Sequence, residues 1–508
     1  RLTGLSDTLR RHSVAIGADN VTNEVVAVWD EPTQTLVETQ TSSLRATPSI
    51  RVTKHGRTIA ETSVDGDRNF FFDPYGRVFY TERKPSGSAA WLSETWLGFN
   101  DHGDVEEFGT FIGGGDTYAA TFHTFDAFGR SIITTDALGN AVTNAYDALG
   151  RPVATSGATY PIRYGYDALG RMSALSTTRD GTAWDTTLWR YDFATGLVTN
   201  KVYADDSAVG YTYTADGKLD TRTWARGNAT TYSYNANGLS SATTYSDATP
   251  AVSRGYDDLL RLAAASNAVA VYIYANDTLG AVTNETTAIG TDTHVLVRAY
   301  DRLHRLSTLT VDNAPTHYGY DAESRLVAIS NASFVAEYAY TSDGYDAGYS
   351  VTLTNGVVLS RELTRDQYRS GLIKTITNSV DGVPMNPLSY SYDDLNRATS
   401  RNADTFGYNA RGEVTSASIL SNAYAYAYDF IGNHTTSTVD SVATTYAANS
   451  LNQYSQISVP SVENLFYDLD GNLLTNSVWS YTYDAENRLT AAYSNSVCVV
   501  SNAYDHAS

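Results

Sequence analysis

The 508-residue sequence carries 35 Lys plus Arg against 56 Asp plus Glu, a formal net charge of −21. That balance argues against a nucleic-acid surface, which needs clustered basic side chains, and no apolar run approaches the roughly 18 residues a helix needs to cross a bilayer. The single cysteine, Cys498, excludes an intrachain disulfide and a cysteine-rich zinc site; its expected place is that of a small buried apolar side chain. Tyr is the dominant aromatic, 38 against 15 Phe and 7 Trp. With Tyr, Thr and Val favouring strands and Asn, Asp, Ser and Gly supplying turns, the expected class is all-β.

In chain order, residues 1–65 hold no clear internal copy of anything that follows and read as a divergent β lead-in; His55-Gly56-Arg57 keeps only the tail of the later pattern. Residues 66–508 read as one repeat array. Its first copies are Phe72-Asp73-Pro74-Tyr75-Gly76-Arg77, Phe99-Asn100-Asp101-His102-Gly103-Asp104 and Phe125-Asp126-Ala127-Phe128-Gly129-Arg130. Between them, Trp91 and Trp96 lie in a stretch without strict alternation, where core packing competes with a short helix, and Gly113-Gly114-Gly115-Asp116 reads as a flexible connection lacking the Lys of a phosphate loop. Turns at Asp126, Asp136 and Asp147 come in quick succession, as in a tight meander. The clean copies are Tyr146-Asp147-Ala148-Leu149-Gly150-Arg151 and Tyr166-Asp167-Ala168-Leu169-Gly170-Arg171. Later copies are built on Tyr320-Asp321 with Arg325, Tyr392-Asp393 with Arg397, Tyr428-Asp429 with Gly432, Tyr467-Asp468 with Gly471, and Tyr483-Asp484 with Arg488. Successive turns fall about twenty residues apart, room for two strands and two turns.

One copy is a hairpin on paper. Tyr164 and Tyr166 sit two apart and share a strand face. Asp167 can accept hydrogen bonds from the amides that follow it, and Gly170 tolerates the left-handed conformation that lets the chain return. Arg171 opens the return strand, where its guanidinium has two candidate partners, a carboxylate or a neighbouring Tyr ring. Where Asp is lost, Asn or Thr replaces it, as in Thr214-Ala215-Asp216-Gly217 and Asn235-Ala236-Asn237-Gly238, so turn chemistry persists. Tyr pairs such as Tyr272 and Tyr274, Tyr390 and Tyr392, and Tyr426 and Tyr428 predict a cross-strand ladder near one rim, with binding of sugars or peptides as the competing reading.

These residues resemble the YD repeats of the Rhs family, which also occur in the bacterial toxin-complex C component and in teneurins, and the resemblance covers residues 72–508. It implies a β-hairpin strip wound spirally into a hollow shell, a β-cocoon. Winding would lay each edge of the strip against the next and so cover edges that an open sheet leaves bare. In Rhs and toxin-complex members the resemblance further implies a shell around a C-terminal toxin released by autoproteolysis at an Asp-Pro motif, and in teneurins a related shell in cell-surface adhesion. The chain opens at Arg1 rather than Met and stops inside Tyr504-Asp505, the start of another turn. The expectation is therefore an incomplete shell, part of a longer polypeptide.

No residue set stands out as catalytic, cofactor-binding or metal-binding. Asp73-Pro74-Tyr75-Gly76 matches the start of the cleavage motif, but Tyr80 occupies its final Gly position, so an ordinary turn is expected. Asp468-Leu469-Asp470-Gly471-Asn472 and Asp65-Gly66-Asp67 have the look of calcium loops without the full ligand series. The nine His, from His12 to His506, have no metal-ligand spacing. The expected role is thus structural and not enzymatic: an exported, secreted or cell-surface shell whose partners are its own C-terminal core and a toxin or effector domain, with neither nucleic acid nor membrane insertion. The alternative is a surface adhesion or carbohydrate-binding repeat protein whose partners are surface glycans.

Overall fold

A computed structural model describes residues 8–15, 21–30, 35–42, 49–54, 57–63, 66–84, 93–113, 117–341, 344–369 and 371–506. Every regular element among them is a β-strand, 48 in all. No helix occurs among the described residues, and none is therefore long and apolar enough to cross a membrane. Strands pair antiparallel with their neighbours in sequence, so the polypeptide forms a strip of consecutive hairpins.

The register shows how the repeat makes each hairpin. Ile162–Tyr166 pairs with Met172–Thr177 so that Ile162 faces Thr177 and Gly165 faces Ala174, but Tyr166 faces Met172. One extra residue on the return strand is thereby accommodated as a bulge just past the turn. The same shift falls at the motif Tyr in Tyr146, Tyr213, Tyr234, Tyr256, Tyr320, Tyr392, Tyr428 and Tyr483. The turn itself is closed twice, by the Gly170 amide on the Asp167 carbonyl at 3.0 Å and by the Asp167 amide on the Arg171 carbonyl at 2.9 Å. Gly170 takes φ +83°, the left-handed region where a Cβ is strained.

The chain divides into two compact units. The first takes the described residues of Arg1–Ala141, Ala299–Leu309 and Ala314–Asp404; the second takes Val142–Arg298, Thr310–Asn313 and the described part of Thr405–Ser508. In the first unit the meander runs from Thr8–Ala15 through Thr117–Phe125, each strand hydrogen-bonded to the next. Ser93–Phe99 is one of these strands, so the helix alternative around Trp96 is overturned. Trp96 stands between Tyr80 and Gly109 in register, and its indole occupies the space that a side chain at 109 would need. Trp91 and Gly114–Asp116 lie outside the described residues, as do His55, Gly56 and Asp65.

In the second unit the strip runs in the same way from Pro152–Gly157 to Val282–Ile289 and the part of the next strand up to Arg298, and a later stretch from Thr405 lies beside it. Its interior is made of small side chains. Val209, Ala265, Ala270 and Ala485 are buried, and the largest fully buried side chains are Thr178 and Thr230. A sheet covered thinly on its faces has no room for a thick aliphatic core, which fits the abundance of Ala, Thr and Ser on its strands. Cys498, expected inside, is exposed: it lies on Val497–Ser501, whose five residues are all exposed, and its thiol reaches the Val500 carbonyl at 3.3 Å. Nothing packs over that strand, so its apolar character does not bury it.

Candidate functional site

The repeat motif assembles a relay that runs from one hairpin to the next. In Asp147, Oδ1 accepts the amides of Leu149 and Arg151, each at 2.9 Å, and Oδ2 accepts Arg151 Nε at 2.7 Å. The Arg151 guanidinium then lies over the Tyr166 ring, 4.3 Å from its centroid. Tyr166 in turn donates its hydroxyl to the Pro152 carbonyl, the residue after Arg151, at 2.7 Å. Arg thus takes both of the partners its position suggested, the carboxylate of its own turn and the ring of the next.

The pattern repeats with the same geometry. Arg171 holds Asp167 at 2.7 Å and lies 4.3 Å from the Tyr191 ring; Arg325 holds Asp321 at 2.7 Å and lies 4.8 Å from the Tyr340 ring. Arg488 holds Asp484 at 2.8 Å beneath Tyr504, and Arg397 holds Asp393 at 2.7 Å. The hydroxyls of Tyr320, Tyr428, Tyr467 and Tyr483 donate to the carbonyls of Leu306, Val414, Tyr454 and Leu473 at 2.6–2.9 Å. Tyr392 reaches Ile373 at 2.5 Å. Where Arg is replaced, an amide keeps the carboxylate occupied: Asn433 Nδ2 on Asp429 at 2.7 Å and Asn472 Nδ2 on Asp468 at 2.9 Å. Gly150, Gly432 and Gly471 all have positive φ. Tyr–Tyr contacts are fewer than a continuous ladder requires. Tyr272 with Tyr274 and Tyr390 with Tyr392 stack within one strand, and Tyr338 with Tyr349 meets across strands. The motif Tyr rings pack chiefly against Arg.

The electrostatics follow the hydrogen bonds. The Arg151 amide, seconded by its side chain and by the Leu149 amide, holds the Asp147 carboxyl below its usual range against a counteracting burial effect. At Asp126 the Arg130 side chain leads, and at Asp257 the Arg261 amide leads, with the same result. At Asp321 burial pulls the other way most strongly but is outweighed by the combined Arg325 and Glu323 contacts. Burial pushes the phenols of Tyr340, Tyr392, Tyr428, Tyr467 and Tyr483 up.

A second feature lies inside the second unit, where its later stretch meets the earlier one. The strip has two edges, one lined by the Tyr-Asp turns and one by the connections between hairpins. Turns of the later stretch dock on connections of the earlier. Arg226, at the apex of Trp224–Asn228, pairs with the carboxylate of Asp470 and donates Nη2 to the Asp484 carbonyl at 2.9 Å and Asn487 Oδ1 at 2.7 Å. Arg222 holds Glu486 at 2.6 Å, and Thr230 Oγ1 reaches the other oxygen of Glu486 at 3.1 Å. The Ala485 amide donates to Thr249 Oγ1 at 2.8 Å, and the Phe430 amide to the Arg179 carbonyl at 3.1 Å. Tyr160 meets Glu413 at 3.3 Å, and Tyr272 donates to Asp505 at 2.5 Å, a contact that raises the Tyr272 phenol to about 12. These partners stand 233 to 264 residues apart in sequence. Within the first unit, Phe111 beside a connection and Tyr368 in a turn meet edge-on at 5.1 Å over a similar interval.

The calcium-loop segment has its oxygens committed elsewhere. Asp468 Oδ1 accepts the amides of Asp470 and Asn472, and the Asp470 side chain is wholly buried against Arg226. Asp73 makes an ordinary turn, accepting the Tyr75 and Arg77 amides and Arg77 Nε. Among the described residues no three His, Cys, Asp or Glu gather as metal ligands. Sequence reasoning did not find Arg222, Arg226, Thr230, Thr249 or Tyr160. The available signal was on the other side of the contact, where Asp470 and Glu486 stand at an apical position that is Leu in the clean copies, and Asn487 and Glu413 replace the motif Gly and Arg.

A strip of Tyr-Asp hairpins, cross-linked by an Asp–Arg–Tyr relay and joined edge to edge within the second unit, has the architecture of a YD-repeat shell. Residues 124–330 match the family model Teneurin YD-shell. Among solved structures the chain is similar to the crystal structures of TcdB2-TccC3-TEV and TcdB2-TccC3-Cdc42, at 11% identity and a TM-score of 0.54 in each case, over 93% of this chain. It spans less than a third of their length, 29% and 31%. No curated protein matches in sequence. The likeness shows the fold; with it, the family match supports a structural role.

Proposed function

We propose that the chain is an encapsulating shell segment of an exported Rhs-type protein and that the strip houses a C-terminal toxin or effector cargo, with residues 66–508 as the repeat array and 1–65 as its lead-in. The observation that carries this reading is the join in the second unit. A repeat strip that serves only as a spacer has no need to return upon itself, whereas a wall that excludes solvent and proteases must seal its edges. The folds of the two TcdB2-TccC3 chains are consistent with it. The test is the natural polypeptide expressed with its downstream coding sequence and treated with protease. The cargo should resist cleavage until the strip unfolds; a cargo cut as readily as when isolated, or a stop codon soon after Ser508, overturns the reading. Surface adhesion or carbohydrate binding is the second reading, favoured by the Teneurin YD-shell match at residues 124–330. Specific signal on a glycan array would select it.

A further inference from the structure

A strip of near-identical hairpins has a register problem that its repeat chemistry cannot solve. Adjacent turns lie two strands apart, roughly 10 Å. Sliding the later stretch by one hairpin would set another turn, with the same backbone bonds and the same Asp or Asn cap, against each connection. Identical units specify register weakly, and something outside the consensus must break the degeneracy.

We propose that the departures from the repeat consensus at Asp470, Glu486 and Asn487 are a register code, read by Arg222 and Arg226 on the facing connection, and that these five residues select which turn docks where. Each departure is used across the join. The second apical position of the turn carries Leu in Asp147–Arg151, Asp167–Arg171 and Asp257–Arg261, and there Leu149, Leu169 and Leu259 are 64–78% exposed. In Asp468–Asn472 the same position is Asp470, whose side chain is 0% exposed against Arg226, itself 18% exposed. In Asp484–Arg488 it is Glu486, held by Arg222 at 2.6 Å. The left-handed position, Gly in the clean copies, is Asn487 with φ +61°, and its amide oxygen accepts Arg226 Nη2 at 2.7 Å.

A slip by one hairpin would bring Ser450, Leu451 and Asn452 where Leu469, Asp470 and Gly471 now stand. Arg226 would then lose its carboxylates while remaining under cover, and a buried guanidinium without a partner is strongly disfavoured. A slip in the opposite direction would put Glu486 in the place of Asp470 at Arg226 and take it away from Arg222, which would then be the guanidinium without its carboxylate. The pairing thus acts by penalising wrong registers, in the way a single buried polar residue fixes the register of a helical zipper. It operates whatever the shell contains.

The test uses the full chain with a photo-crosslinking benzoylphenylalanine at Ala248, an exposed residue on the wall of a cleft whose far side includes Tyr483, Asp484 and Tyr504. In the native register the probe captures the peptide spanning 483–504. The Arg222→Glu/Arg226→Glu variant is expected to move capture toward 467–482, with the ratio of native to slipped product falling at least about tenfold. Adding Asp470→Arg and Glu486→Arg should restore the native ratio. Unchanged capture in the first variant overturns the code. So does a loss of the β-sheet circular dichroism that the charge-swapped variant fails to recover, since the residues would then serve stability and not choice.

Discussion

At the scale of single residues, the motif is a division of labour. Asp supplies one oxygen to two amides and the other to Arg, Arg adds a ring contact, and Tyr spends its hydroxyl on a carbonyl. The Gly position is the exception, because its task is purely conformational. Leu260 and His304 occupy it with φ +64° and +61°. The His304 ring recovers something by stacking on Tyr300 at 5.0 Å, whereas the Leu260 side chain is 48% exposed. A left-handed L-residue costs about 1–2 kcal/mol, partly offset by the greater freedom of an unfolded Gly. Leu260→Gly should therefore stabilise the second unit by roughly 1 kcal/mol, and Gly170→Ala should destabilise it by a similar amount. Thermal denaturation of each variant checks both signs; a drop in melting temperature for Leu260→Gly would show that its apical contacts outweigh its backbone strain.

At the scale of the hairpin, local pattern is strong enough to be read directly. The all-β class, the turns at Asp147, Asp167, Asp321 and Asp484, and the left-handed Gly positions were legible because each depends on neighbours within six residues. Trp96 and Cys498 were not. Their placement depends on which strand stands opposite and on whether anything covers the face, and composition is silent on both. The hairpin also predicts its own pH limits. Carboxyls such as Asp126, Asp147 and Asp257 are held below their usual range. Their contribution is complete above the unfolded value of about 3.9 and is lost as pH falls below it, through the folded values. Phenols such as Tyr340, Tyr428 and Tyr483 are held above theirs, so their contribution is present below about pH 10 and is lost as pH rises through the folded values. Stability should be flat between roughly pH 5 and 9 and fall on both sides. Urea melts across pH 2–12 would reveal this. An alkaline arm without loss of stability would mean the Tyr hydroxyls are not bound in the folded state as described.

At the scale of the molecule, the join in the second unit could not be read forward from the sequence. Its partners lie 233 to 264 residues apart, and repeat chemistry gives every turn the same claim on every connection. What distinguishes it is that polar groups and small residues, not a thick apolar core, close it. Thr230 concentrates this property. It is fully buried, takes Arg222 Nη2 at 3.2 Å and faces Glu486 at 3.1 Å. Thr230→Val keeps the shape and removes the hydroxyl, leaving Glu486 and Arg222 each short of a partner under cover, at a cost of about 1–3 kcal/mol. If the two stretches close as one cooperative unit, the loss will appear on both sides of the join. Amide hydrogen exchange should quicken at residues 222–230 and at 484–488 together, while the hairpin 162–177, which bonds to the neighbouring strands Pro152–Gly157 and Asp185–Tyr191, should keep its protection. Faster exchange at 222–230 alone would mean that the docked turns are held by Arg226 and Thr249 without Thr230, and that the join is a row of separate clasps rather than one cooperative seam.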